Sequence, residues 1–144
     1  MKHRFPAVAL TLASVALTAA LLGCSPEDKP LPQVEGVEAQ LSLKSAENGQ
    51  DSDIAIVSWE ASNDSRVQGY VIYRAEQGIG ATEAEKSEFT VQAVTIATQY
   101  TDDEIRTSVR YPTMRYFYRI ATIDAEGIQG PQSPEVSIEY VATA

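Results

Sequence analysis

Along most of this 144-residue chain the apolar positions recur every second residue, not every third or fourth. Val37, Ala39, Leu41 and Leu43 alternate with Glu38, Gln40 and Ser42, and Ala55, Val57 and Trp59 alternate with Ile56, Ser58 and Glu60. Further on, Tyr116, Tyr118 and Ile120 alternate with Phe117 and Arg119, and Val136, Ile138 and Tyr140 with Ser137 and Glu139. Successive side chains of a strand point to opposite faces, so a period of two marks strands with one buried face. Clusters of turn formers at 47–51, 62–65, 78–80 and 125–127 separate these runs. Residues 82–87 are too few to hold a helix by themselves. About seven short strands without helices predict an all-β, antiparallel sandwich over residues 34–144.

The N-terminus breaks this pattern. Lys2, His3 and Arg4 make a basic start, and residues 5–22 are apolar apart from Thr11, Ser14 and Thr18. That layout is an export signal. It ends in Leu21, Leu22, Gly23 and Cys24, which resembles the lipobox of bacterial lipoproteins. The resemblance implies that residues 1–23 are a cleaved signal peptide and that Cys24, the new N-terminus, carries a diacylglyceryl thioether, often with its amine acylated as well. A single acyl chain binds membranes marginally and two bind stably. An acidic domain gains nothing from anionic headgroups, so lipid alone would hold it to the membrane. Ser25, where aspartate is the usual inner-membrane retention signal, favours by the same resemblance the outer membrane of a Gram-negative cell. Residues 24–33 join the lipidated cysteine to SPEDKPLPQ, with prolines at 26, 30 and 32. They read as a linker whose nine residues after Cys24 form a semi-rigid stalk of about 28 Å, at ~3.1 Å per residue.

Charge and residue inventory narrow the function. With 11 basic and 20 acidic residues the net charge is −9, and nucleic acid is disfavoured because phosphate neutralisation needs a basic face. Removing residues 1–23 takes Lys2 and Arg4 and no acid, which brings the charge to −11. It also takes His3, the only histidine, and leaves Cys24 as the only cysteine. Ser/His/Asp triads, Cys/His dyads, zinc sites and internal disulfides are thereby excluded. The carboxylates offer no substitute. Asp102, Asp103 and Glu104 are contiguous and would alternate between faces, while Asp51 with Asp53 and Glu83 with Glu85 lie in loops with no apolar pocket to raise one pKa. No acid-rich loop has the spacing and closing glutamate of a calcium site. Gly78, Ile79 and Gly80 read as a loop, since position 83 is Glu where a phosphate-binding pattern needs glycine. No catalytic residue, metal or cofactor is expected.

Residues 57–74, VSWEASNDSRVQGYVIYR, and 116–130, YFYRIATIDAEGIQG, resemble the fibronectin type III domain, an immunoglobulin-like sandwich, and the likeness extends over 34–141. It implies a structural signature of Trp59, Tyr70 and Tyr116. Trp59 would centre the core from the second strand, Asp64 would sit in the following turn, and Gly69 and Tyr70 would open the third strand, with Tyr73 and Arg74 along it. Tyr100, Thr101 and Asp102 match the strand before the tyrosine corner, where the Tyr116 hydroxyl would return to upstream backbone, and Gly127 would close the last hairpin turn. Residues 75–97 run longer than is usual in the family, and 89–96 are expected to form an extra or lengthened strand.

Alternation places Phe117, Arg119, Ala121 and Ile123 on the outer face, beside Val71 and Tyr73. Tyr73, Phe117 and Arg119 then make a possible partner face with the aromatic and arginine composition of interface hot spots. Ordinary cross-strand pairing accounts for the same residues without a partner. The expectation is a non-catalytic envelope lipoprotein whose domain serves as a protein-binding or structural module, with another envelope protein as partner. The alternative is glycan binding, for which Tyr73, Tyr111 and Phe117 are the available aromatic platforms.

Overall fold

The computed structural model describes residues 29–142 apart from 46, 48, 50, 51 and 81. Cys24 lies outside the described residues, and the lipobox and signal-peptide expectations lie there with it. Seven strands follow in order: β1 (Glu38–Lys44), β2 (Ser52–Ser58), β3 (Gly69–Ile79), β4 (Thr90–Thr95), β5 (Gln99–Asp102), β6 (Thr113–Ile123) and β7 (Val136–Val141). They form two sheets, β1-β2-β5 and β4-β3-β6-β7, in which every pairing is antiparallel. This is the predicted all-β sandwich, and no helix occurs among the described residues.

The core is built from the alternating apolar positions. Ala55 and Val57 of β2, Tyr70 and Ile72 of β3, Tyr116, Tyr118 and Ile120 of β6 and Ile138 of β7 pack together with Trp59, one residue past β2. Burying a large apolar side chain stabilises by roughly 1.5–3 kcal/mol, so this cluster is the main source of cohesion in a fold without disulfides. Trp59 meets Tyr70 edge to face, with ring centroids 5.5 Å apart at 62°. The Tyr116 hydroxyl accepts from the Arg106 amide at 2.9 Å and donates to the Arg106 carbonyl at 2.8 Å, closing the expected corner. In the turn after β6, Gly127 takes φ 84°, where a side chain would be strained.

The structure departs from the pattern at three places. Alternation points Leu41 and Leu43 inward, yet they are 44% and 65% exposed. β1 is a sheet edge, and only Val37, just before it, and Ala39 reach the core. Gly78 and Ile79 belong to β3 and are not loop. A Cβ on residue 78 would lie 2.4 Å from Cγ of Tyr111, so this glycine makes room for a ring and does not end the strand.

The third departure is the stalk, which from Lys29 onward lies against the domain. Leu31 and Val34 are only 5% and 4% exposed. Arg66 donates to the Lys29 carbonyl at 2.7 Å and the Pro30 carbonyl at 3.4 Å, Thr122 Oγ1 to the Pro32 carbonyl at 2.9 Å, and Gln33 Nε2 to the Gln132 carbonyl at 2.6 Å. Gly130 allows the approach, because a Cβ there would lie 3.0 Å from the Pro32 oxygen and 3.1 Å from Leu31 Cβ. Proline favours extended backbone but leaves carbonyls free to accept, and an apolar residue between two prolines has surface to bury.

Candidate binding face and its charged partners

The β3–β6 register sets Tyr73 opposite Arg119, Ala75 opposite Phe117 and Val71 opposite Ala121 on the outer face of the four-stranded sheet. The three residues of the possible partner face therefore do come together. Their exposure differs from a simple solvated sheet, since Phe117 is only 7% exposed. Beside it Ala75 is small, and the Lys86 side chain comes to lie over the ring, with Nζ 3.9 Å from the Phe117 centroid and 5.0 Å from that of Phe89. Lys86 ends on the Glu135 carboxylate at 2.5 Å. Arg119 stacks on Phe89 at 4.3 Å and reaches the same carboxylate at 3.4 Å.

Two cations, two rings and one carboxylate thus clasp this face. The Lys86 bond holds Glu135 below its ordinary carboxylate range. The segment carrying Lys86 is fixed to the β3 edge beyond β4: the Ala84 amide donates to the Gly78 carbonyl and the Ser87 amide to the Glu76 carbonyl, each at 2.9 Å. The Tyr73 hydroxyl donates to Gln129 Oε1. What stays open is the part of Tyr73 facing solvent and its β4 neighbour Val91, 54% exposed.

A second constellation lies between the sheets. Arg74 follows Tyr70 and Ile72 in the inward-pointing series of β3, and Tyr100 and Asp102 share the inward face of β5. Arg74 Nη1 donates to both oxygens of Asp102, at 3.0 and 2.8 Å, the Tyr118 hydroxyl donates at 2.8 Å and the Glu104 amide at 3.0 Å. Asp102 is completely buried. Burial opposes the Arg74 charge, but the Asp102 bond more than restores it, leaving its pKa above the ordinary value. Burial first, and then the Asp102 charge, push the Tyr118 phenol far up. In the sequence Asp102 stands out only as a family-like letter and one of three contiguous acids; the signal that it needs a cation is the parity of Arg74.

Asp64 takes its expected place in the β2–β3 turn. It accepts the Arg66 amide at 2.9 Å and guanidinium bonds at 3.1 and 2.7 Å, which bring its pKa to about 2. At the opposite end a cavity of about 360 Å³ is lined by Glu76, Gly78, Ser87, Arg106, Tyr111 and Tyr116. The Tyr111 ring there is seated against Gly78, and the Arg110 guanidinium is 5.2 Å from its centroid. Among the described residues, no group of three or more His, Cys, Asp or Glu is placed to hold a metal ion.

No family model matches the sequence, and no curated protein matches it. Solved structures do match in shape. The chain is similar to the third fibronectin III domain of human KIAA0343 protein, determined in solution, with TM-score 0.56 and 16% identity, covering 88% of this chain and 95% of that one. It also aligns with a myokine structure, at TM-score 0.47 and 19% identity over 74% and 93% of the two chains, and with the twitchin kinase region from C. elegans, at TM-score 0.46 and 18% identity over 76% and 17%. At these identities the likeness concerns fold: an immunoglobulin-like, fibronectin type III sandwich.

Proposed function

We propose that this protein is a lipid-anchored, non-catalytic envelope lipoprotein whose fibronectin type III-like domain holds another envelope protein. Residues 1–23 act as signal peptide, Cys24 carries the lipid, and Ser25 directs the chain to the outer membrane of a Gram-negative cell. The reading is carried by the coupling of a lipobox-like end to a domain of interaction-module fold. The sequence places the single histidine and the single cysteine within its first 24 residues, which leaves the domain without an imidazole or thiol for catalysis. Its buried acid is fully engaged by Arg74 and Tyr118.

The partner surface consists of Tyr73, Val91 and the outer part of Arg119, with Phe117 and Lys86 as the support beneath. Glycan binding has less behind it, because each aromatic platform is engaged within the chain: Phe117 by Lys86, Tyr73 by Gln129, Tyr111 by Gly78 and Arg110. Mass spectrometry of the mature N-terminus tests the anchor and should find an acylated Cys24. Cross-linking of envelope membranes tests the partner: a protein captured by the wild type should be lost with Tyr73→Ala and Val91→Asp, and equal capture by both overturns the assigned face.

A further inference from the structure

Both ends of the sandwich can be located from the strand register. Gly69 pairs with Ile123 and Tyr70 with Thr95, so the start of β3 and the ends of β4 and β6 lie level at one pole. Ser58 pairs with Gln99 and the Gln68 amide donates to the Ile123 carbonyl, which brings the end of β2, the start of β5 and the turn before β3 to the same pole. Gly80 and residues 108–112 lie at the other pole, beside Ile79 paired with Thr113. The docked stretch 29–33 reaches the first pole, where Arg66 of the β2–β3 turn holds the Lys29 and Pro30 carbonyls and Thr122 holds that of Pro32.

This shortens the tether. If Cys24 carries the lipid, only five residue steps separate it from Lys29, a reach of at most about 18 Å at ~3.3–3.6 Å per residue. β3 alone has 11 residues, which at ~3.3 Å each span about 36 Å. The tether is therefore too short to let the far pole meet the bilayer while 29–33 stays docked. The near pole also carries two isoleucines on turns, Ile96 after β4, 87% exposed, and Ile128 after β6, 62% exposed. Neither has a packing duty in the core. The polar groups around them are largely satisfied within the chain: Asp64 by Arg66, and Asp124, whose carboxylate accepts the Glu126 and Ile128 amides at 3.0 and 2.7 Å.

We propose that the docked segment 29–33 fixes the domain's orientation on the membrane, with the pole formed by 60–68, 96–98 and 124–130 facing the bilayer and Ile96 and Ile128 entering its interface. The proposal rests on the lipid anchor at Cys24. Gly80 and residues 108–112, with the cavity beside Tyr111, then point away from the lipid. Because Glu126 remains at the near pole, the surface suits zwitterionic headgroups and not strongly anionic ones.

The acylated full-length product offers a direct test, since the Cys24 sulfur is blocked by its thioether and an introduced cysteine is the only reactive thiol. Ile128→Cys and Val109→Cys, the latter at a fully exposed site on the far pole, are labelled with a polarity-sensitive fluorophore. The proteins are reconstituted in phosphatidylethanolamine and phosphatidylcholine vesicles carrying a headgroup quencher. The label at 128 should lose most of its emission and the label at 109 keep it. Adding Arg66→Ala with Leu31→Ser, which undocks the segment, should erase that contrast. Vesicle-bound protein with equal quenching at both positions, or a contrast that survives undocking, overturns the orientation. So does contact between labels at 128 of two molecules without quenching, which would assign the isoleucines to a second copy. An unacylated product that fails to float with vesicles overturns the anchor itself.

Discussion

The inner seam and the outer face of the four-stranded sheet use the same chemical parts. Between the sheets, Arg74, Asp102 and Tyr118 combine a cation, a carboxylate and an aromatic ring, with Arg74 also 5.6 Å from the Tyr116 centroid. Outside, Lys86, Arg119, Glu135, Phe89 and Phe117 repeat the combination. The difference is water. The Asp102 side chain is 0% exposed, whereas those of Lys86 and Glu135 are 31% and 38% exposed. Inside, the interaction is strong but each charge depends on the other, because a lone buried ion has no solvent to turn to. Outside, solvent screens the attraction and accepts either partner when the pair parts.

The largest expected effect follows from breaking the inner pair one-sidedly. Asp102→Ala leaves Arg74 against the seam without its carboxylate and should cost about 3–5 kcal/mol in urea unfolding. Replacing both partners, Arg74→Met with Asp102→Leu, should recover most of that loss, because the requirement is for pairing and not for charge. A double variant as unstable as the single one would show that Asp102 acts through its bonds to Tyr118 and the Glu104 amide and not through Arg74. Tyr118→Phe removes one donor and leaves the ion pair, so an intermediate loss of about 1.5–3 kcal/mol is expected by the same measurement.

The comparison also marks what could be read from the sequence. Period-two alternation places Val57, Tyr118, Ile120 and Ile138 in the core, because burial on one face is a local property of each strand. The family-like letters located Trp59, Tyr70 and the Tyr116 corner. The 89–96 stretch yielded β4 at Thr90–Thr95. Alternation failed for Leu41 and Leu43, since the period says which face a residue takes and not whether anything covers it. The Arg74–Asp102 pair spans 28 residues and the Lys86–Glu135 pair 49, and neither separation is set by a local rule. Alternation gives Phe117 its outward face, but its covering by Lys86 depends on Ala75 being small beside it and on where the inserted segment returns. The docking of Leu31 had a weak signal, one leucine in a polar, proline-rich stretch.

On the outer face, Lys86→Ala should cost no more than about 1 kcal/mol, and that difference should shrink at ~1 M salt, where charges are screened beyond ~3 Å. The fluorescence or NMR signature of the Phe117 environment should change more than the stability does, because the ring loses its cover while the sheet keeps its hydrogen bonds. A salt-independent loss of several kcal/mol would place Lys86 with the inner network and dissolve the contrast.

The smallest effect is a pH dependence, and its sign distinguishes the outer clasp from generic acid unfolding. Glu135 is held below its ordinary value of 4.5, first by the Lys86 bond and against the opposing pull of desolvation. A carboxyl group depressed in the folded state contributes stability that is complete above its unfolded pKa and is lost as the pH falls through the folded one. The Lys86–Glu135 contribution should therefore be constant from neutrality to about pH 5 and fade below about pH 4. Glu135→Gln should remove that fading component and leave the remaining acid dependence, part of which comes from Asp64 titrating near 2, in place. If stability in the Glu135→Gln variant falls over pH 5 to 3 as steeply as in the wild type, the carboxylate is not coupled to the clasp. Phe117 would then be covered by packing of the 82–89 segment alone.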